Sequence, residues 1–213
     1  MVYPPYCIFC QRLLSDGKES ICDPCWDALP PFPRDHNILI EIKEKLNIPV
    51  YIADVKTLWQ FKDNVQFVIH RLKYKHHKFL ARKIAYYITN LIIFENKIDL
   101  LIPVPLHKKR KRIRGYNQST LICKAVSRVT NIPVNETSLI RIKNTISQTT
   151  LNIIQRQNNV ANAFQVVRKK EITGQAILLI DDVITTGSTI NACAQQLKLN
   201  GANEVFAVSI AKA

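Results

Sequence analysis

The chain has 213 residues and a mass of 24.4 kDa, room for one domain of ordinary size plus a small appendage. Its 47% hydrophobic and 22% charged residues are a globular composition, which excludes a disordered or low-complexity chain. Lys and Arg exceed Asp and Glu by 14, an imbalance that points to a polyanionic partner: nucleic acid, phosphates or an anionic membrane surface.

Taken in chain order, the first feature is a set of cysteines. Four of the six form Cys7-x-x-Cys10 and, eleven residues on, Cys22-x-x-Cys25. Two thiolates separated by two residues clamp one Zn²⁺ from a tight turn, and the second pair completes a tetrahedron. Ser15, Asp16 and Gly17 between the pairs are a turn signal. The pattern therefore reads as a Cys₄ zinc ribbon over residues 1–30. Two local disulfides would need an oxidising compartment, and neither pair opens the strand–helix unit of a redox-active CxxC. Four thiolates leave no open coordination position, so this zinc is expected to be structural. Cys123 and Cys193 fall on apolar helix stripes and read as small buried hydrophobes. The N-terminus lacks a basic region followed by a long apolar one. The most apolar stretch, 84–94, is shorter than the ~18 residues a membrane span requires. A cytoplasmic chain with no membrane span is expected.

LPPFPRD at 29–35 marks a module boundary, with a linker over 31–48 and a second domain over 49–213. Residues 49–60 read as extended. Asp63 is placed to cap a helix through Tyr74, with Val65, Val68, Ile69 and Leu72 inward. A second helix is expected from Lys78 to Phe94. Ile98–Val104 is a short apolar run, as in a strand buried on both faces. A basic loop follows, then a helix over 117–130 with Leu121, Ile122, Ala125, Val126 and Val129 inward. Leu139–Ile142, Ala163–Val167, Ala176–Ile180 and Val205–Ile210 read as strands. Residues 143–160 are polar and aperiodic. Ser188–Leu199 is a helix with Gly201 just beyond its end. Strands alternating with helices predict an α/β fold with a mostly parallel sheet.

The sharpest motif is AILLIDDVITTGSTI, residues 176–190. A buried strand ends at Asp181 and Asp182, a short loop with Gly187 follows, and a helix begins. Ligands of parallel sheets sit beyond the carboxyl ends of the strands, and a helix N-terminus binds phosphate through unpaired N–H groups and its partial positive charge. Val183, Ile184, Thr185, Thr186, Gly187, Ser188 and Thr189 would form that phosphate loop. Two carboxylates at its mouth repel phosphate and so call for a different ligand group, either sugar hydroxyls or a Mg²⁺ shared with a diphosphate. The loop lacks the Lys of a Walker A motif.

The stretch 181–189 resembles the phosphoribosyl pyrophosphate (PRPP) signature of type I phosphoribosyltransferases. HRLKYKHHKFLA (70–81), PVPLHKKRKRIRGYNQS (103–119) and LIRIKNTISQTTLNIIQRQNNVANAF (139–164) are similar to successive blocks of the ComF family, the competence-associated, GntX-like branch, which begins with a Cys₄ ribbon. The resemblance implies a type I phosphoribosyltransferase fold. It implies contact of Asp181 and Asp182 with ribose hydroxyls and Mg²⁺, and a 5′-phosphate on residues 185–189. It places the loop from Pro103 to about His107, with Pro105 in it, near pyrophosphate, and 143–160 as a closing loop with Arg156 reaching pyrophosphate. It also implies a role in moving single-stranded DNA into the cytoplasm, beside an uptake helicase and an inner-membrane channel, with peripheral location at the inner face of that membrane. Two departures stand out. Thr185 replaces the Asp that handles a base proton in hypoxanthine- and guanine-type transferases, and Lys73-Tyr74-Lys75-His76 lacks the glycine of the family's KY-x-G pattern.

The charge is segmental. Residues 61–120 hold 14 basic and 3 acidic residues, net +11, against −2 for 1–60 and +5 for 121–213. Six of the seven residues 108–114 are Lys or Arg. This exceeds the needs of a pyrophosphate. Lys109, Arg110, Arg112 and Arg114 are candidates for pyrophosphate or a DNA backbone, with Tyr116 as a stacking face; a solvated basic loop is the plainer alternative. A metabolic phosphoribosyltransferase acting on a nitrogen nucleophile is one rival functional reading; a zinc-ribbon nucleic-acid-binding module with a vestigial site is another, which the intact acid pair and loop oppose.

Overall fold

The computed structural model describes residues 6–14, 21–74, 78–92, 98–143, 160 and 162–213. In chain order its elements are α1 (Asp23–Asp27), α2 (Ile38–Leu46), β1 (Asp54–Gln60), α3 (Asp63–Tyr74), α4 (Lys78–Leu91), β2 (Leu100–Pro103), α5 (Lys108–Arg114), α6 (Gln118–Thr130), β3 (Leu139–Arg141), β4 (Phe164–Val166), β5 (Ala176–Ile184), α7 (Ser188–Leu199) and β6 (Glu204–Lys212). Four strands pair in the order β1-β6-β5-β2, every neighbour parallel. β3 and β4 form a separate antiparallel pair.

Helices cover both faces, as all-parallel sheets require. The side-chain period of two distributes β5 between two cores. Leu178 and Ile180 join a cluster with Val65, Ile69 and Leu72 of α3, Ile84 and Ile88 of α4, and Ile122 and Val126 of α6. Ile177 and Leu179 join a second with Ile38, Ile42 and Leu46 of α2 and Ile190, Cys193 and Leu197 of α7. All four strands point their carboxyl ends to one edge, where β5 feeds the turn into α7.

The N-terminal residues pack onto the first core. Cys7, Ile21, Cys22, Trp26 and Leu29 belong to it, and the Trp26 ring lies 5.9 Å from Trp59 and 6.0 Å from Tyr87. The Tyr87 hydroxyl donates to Asp27 at 2.7 Å, and Lys83 pairs with Asp23. Residues 30–32 run along β1: Gln60 N–H donates to Pro30 O and Phe32 N–H to Leu58 O, both 3.0 Å. This covers the free edge of an outer strand.

Three differences from the sequence reading have physical reasons. The basic stretch expected as a loop is a helix, α5, because Lys and Arg are good helix formers; His107 Nδ1 caps it and Gly115 ends it at φ 84°. Val129, expected inward, is 61% exposed in the last turn of α6. Residues 31–48 contain α2, whose Ile38, Ile42 and Leu46 are buried. Asn37 caps that helix by accepting from Ile40 N–H at 3.1 Å. Among the described residues no helix is long and apolar enough to cross a membrane.

Candidate functional site

The acid pair lies inside β5, which continues through Ile184 rather than ending at the carboxylates. The pair is therefore not at an exposed strand end: Asp181 and Asp182 are 9% and 6% exposed. Asp181 Oδ1 accepts from Asp182 N–H at 2.8 Å and from the Ser119 hydroxyl at 3.3 Å. Burial, with Asp182 beside it, pushes the Asp181 carboxyl up to about 7. Asp182 Oδ2 accepts from Lys73 Nζ at 2.6 Å and Gln118 Nε2 at 3.0 Å, while its Oδ1 accepts from Val183 N–H at 2.8 Å. Gln118 in turn receives Arg114. Two carboxyl groups withdrawn from water are thus balanced by one direct cation, a second one residue away through an amide, and a proton tendency on Asp181.

The loop after β5 takes its shape from Gly187 and two hydroxyls. Thr186 Oγ1 and Ser188 Oγ lie 2.7 Å apart and both are buried. Gly187 has φ 82° and caps α7. A Cβ there would stand 2.7 Å from Ile42 Cγ1. The glycine is therefore required by its left-handed backbone and by the approach of α2, not only by a ligand. Ile184 is buried, while Val183, Thr185 and Thr189 are half-buried. Beside the loop, a cavity of about 230 Å³ is bounded by Ser188, Asn191, Gln195, Asn162 and Phe164; neither acid lines it.

The turn after β2 brings the basic helix to the same edge. Asn117 Nδ2 donates to Val104 O at 3.0 Å while its Oδ1 caps α6 through Ser119 N–H at 3.2 Å. One Asn thus fixes both the strand end and the helix that carries Gln118 and Ser119 to the acids. Pro105, Arg110 and Arg114 are half-buried; Lys109 and Arg112 are exposed. Tyr116 is half-buried and its hydroxyl donates to Leu72 O of α3, so its polar end is committed to the fold. Arg156 and most of 143–160 lie outside the described residues, as do Ser15, Asp16 and Gly17.

Sequence reasoning missed Lys73, Ser119 and Arg141. Lys73 sits on the polar face of α3, where a solvated cation is the ordinary reading; the signal available was that two acids in an apolar strand need a cation. Arg141 is 9% exposed on β3, its guanidinium 5.2 Å from the Phe164 ring centroid. Burial lowers its pKa, Arg110 adding to the effect and Asp181 opposing it.

The second constellation is Cys7, Cys10, Cys22 and Cys25, whose sulfurs all lie within 4.8 Å of one another. Cys10 and Cys22 sulfurs are 3.6 Å apart, and Cys22 N–H donates to Cys7 Sγ at 3.4 Å. A metal held by four thiolates at about 2.3 Å sets its sulfurs roughly 3.8 Å apart, so the cluster can hold one ion. All six cysteines are free thiols. Burial opposes ionisation of Cys7, but the N–H groups of Cys10, Cys22 and Phe9 outweigh it and hold the thiol at about 6. Burial and the adjacent sulfurs push Cys25 up to about 12. One thiolate forms readily; further negative charge gathers only around a cation. Cys123 and Cys193 are fully buried.

A parallel sheet covered on both faces, a hydroxyl-rich loop opening α7, an acid pair on β5 and a four-cysteine module make an α/β protein of the architecture that the type I phosphoribosyltransferase resemblance implies, with an N-terminal cysteine cluster able to hold one metal ion. No family model matches the chain. It is 28% identical to Competence protein F of Haemophilus influenzae, over 97% of this chain and 96% of that one. It is likewise 28% identical to DNA utilization protein YhgH of Escherichia coli, over 96% of each. The ComF resemblance read from the sequence is borne out along the chain's length. Among solved structures, the adenine phosphoribosyltransferase of Thermoanaerobacter pseudethanolicus aligns with TM-score 0.40 and 13% identity, covering 63% of this chain and 81% of that one.

Proposed function

We propose that this chain is a ComF-type competence protein that binds PRPP and handles single-stranded DNA entering the cytoplasm during natural transformation. The observation that carries the reading is the meeting, at one sheet edge, of the 185–189 loop, the buried acid pair and a helix with six cations. The relatives' names, one for competence and one for DNA utilization, support the DNA side. The loop and the first N–H groups of α7 take the 5′-phosphate, with Thr185, Thr186, Ser188 and Thr189 as hydroxyl donors. Asp181 and Asp182 accept from the ribose hydroxyls. Their hard oxygen donors suit Mg²⁺, which when bound would neutralise charge between the acids and the diphosphate. Arg156 reaches the diphosphate, and the turn at Pro105 lies near it.

The cations of α5, Lys109, Arg110 and Arg112 foremost, take DNA phosphates, whose regular negative charge matches a run of Lys and Arg. Cys7, Cys10, Cys22 and Cys25 hold a structural zinc that fastens the N-terminal module, 1–30, to the domain over 49–213, with 31–48 connecting them. The uptake helicase and an inner-membrane DNA channel are the protein partners of this reading, with the chain at the cytoplasmic face of that membrane. A metabolic transferase is not favoured: Thr185 supplies no carboxylate to an acceptor base, and the excess of cations on α5 has no use in such a reaction.

Calorimetry with PRPP and Mg²⁺, repeated with single-stranded DNA, tests the proposal. Binding of both is expected. Binding of PRPP alone would return the chain to the metabolic reading, and binding of DNA alone would leave the phosphate loop without a ligand.

A further inference from the structure

Helix α7 runs from the turn at Gly187 back toward the amino ends of the strands, as a connection between two parallel neighbours must. Its flank, the start of β4 and Ile48 bound the cavity of about 230 Å³. Among the described residues that line it, Ser188 alone belongs to the 185–189 loop. Gln195 lies seven residues further on, about 10 Å along the helix axis. The cavity therefore extends away from the edge where loop and acids meet.

Its polar groups fall into two sets. One set is spent on the fold. The Ser188 hydroxyl pairs with that of Thr186 at 2.7 Å. Asn191 ties α7 to the segment before β1: its Nδ2 donates to Pro49 O at 3.0 Å and its Oδ1 accepts from Tyr51 N–H at 2.9 Å. The other set is unspent. Among the described residues, the side-chain amides of Asn162, Gln195 and Gln196 have no hydrogen-bond partner. Gln195 and Gln196 are half-buried, where an unmatched amide costs more than on an open surface. Ala163, Phe164 and Ala192 add apolar wall. No charged side chain is among the described residues lining the cavity, although 22% of the chain is charged.

These features select a ligand. Without a charge to meet it, a phosphate would be desolvated at a loss, so the cavity suits a neutral molecule. Each carboxamide offers an acceptor oxygen and two donor hydrogens, which matches a ring edge that carries donors and acceptors side by side. A cavity of ~150 Å³ holds benzene, so one of about 230 Å³ admits a ring with polar substituents. We propose that this cavity binds a nucleobase, held by Asn162, Gln195 and Gln196, as a site separate from the sugar-phosphate edge. With no carboxylate in its described lining to take a proton from the ring, the site holds the base, and no transfer step is assigned to it. A free nucleoside and a base of a DNA strand share this chemistry.

The test uses the full, isotope-labelled chain and follows its side-chain amide NMR signals. Titration with thymidine and deoxyadenosine should move the Asn162, Gln195 and Gln196 signals, and deoxyribose should not. Gln195→Ala together with Gln196→Ala removes two neutral hydrogen bonds and should weaken both nucleosides about ten- to thirtyfold. Alanine is the best helix former, so α7 should survive the change. Asn162→Gly keeps the left-handed backbone of that position, φ 53°, and should weaken the nucleosides about three- to tenfold. An oligothymidylate that moves the same signals at lower concentration than thymidine would make a strand the source of the base; an effect of the nucleosides alone would make it a free nucleoside. Signals unmoved at millimolar nucleoside, deoxyribose acting as strongly as the nucleosides, or wild-type affinity in the double variant would overturn the proposal.

Discussion

Replacing Asp181 by Asn should make the protein more stable at alkaline pH while removing its proposed ligand. The carboxyl is buried beside Asp182, and its pKa rises from 3.8 to about 7. Below 3.8 both folded and unfolded chains hold the proton, and the group costs nothing. Between 3.8 and about 7 the folded chain binds a proton the unfolded chain has lost, so stability falls as pH rises. Above that window the whole penalty is present. Between pH 5 and pH 8 roughly two units of it accrue, about 3 kcal/mol at ~1.4 kcal/mol per unit. Asn keeps an Oδ1 for the Asp182 N–H and the Ser119 hydroxyl but cannot ionise. Its added amide hydrogens need partners, which lowers the gain to about 2 kcal/mol. Urea unfolding of the two proteins at pH 5 and pH 8 measures this: the variant's advantage should be larger by about 2–3 kcal/mol at pH 8, or roughly 4–12 °C in Tm for a chain of this size. PRPP binding should be lost in the same variant. An advantage that does not change with pH, or a variant less stable than wild type at pH 8, would refute the reasoning.

Purification without added metal should yield one zinc per chain. Chelation should then shift tryptophan emission to the red, since Trp26 of the cysteine module stacks near Trp59 of β1; a metal-free protein with unchanged emission would contradict the site. Gly187→Ala should cost about 1–3 kcal/mol through its positive φ, plus a clash with Ile42 that Ile42→Ala should partly relieve; thermal unfolding of the single and double variants decides it. Changing Lys109, Arg110 and Arg112 to Ala should flatten the slope of log K against log salt for single-stranded DNA by about 2 and weaken all sequences alike. Loss of PRPP binding with an unaltered slope would assign these cations to pyrophosphate.

Much of this protein is legible in its amino-acid order because much of it is local. Apolar periodicity is a property of neighbouring residues, and it placed α3 and α7 at their observed bounds and β5 through Ile180. Cysteine spacing predicted a cluster that the fold assembles, since two residues between thiols is already a chelating geometry. The phosphate loop was legible because strand, glycine, hydroxyls and helix start lie within fifteen consecutive residues. What depends on residues distant in sequence was not legible. Hydropathy alone left the acids at a strand end; the structure buries them because β6 and the start of α6 close over β5. Ile42, from a stretch read as a linker, fixes the need for glycine at 187, 145 positions away. Lys73 looks like a solvated cation until the chain folds, because its partner is 109 residues on. A charge becomes a site residue only when burial raises the cost of leaving its counter-charge unmatched, and burial is decided by the tertiary structure.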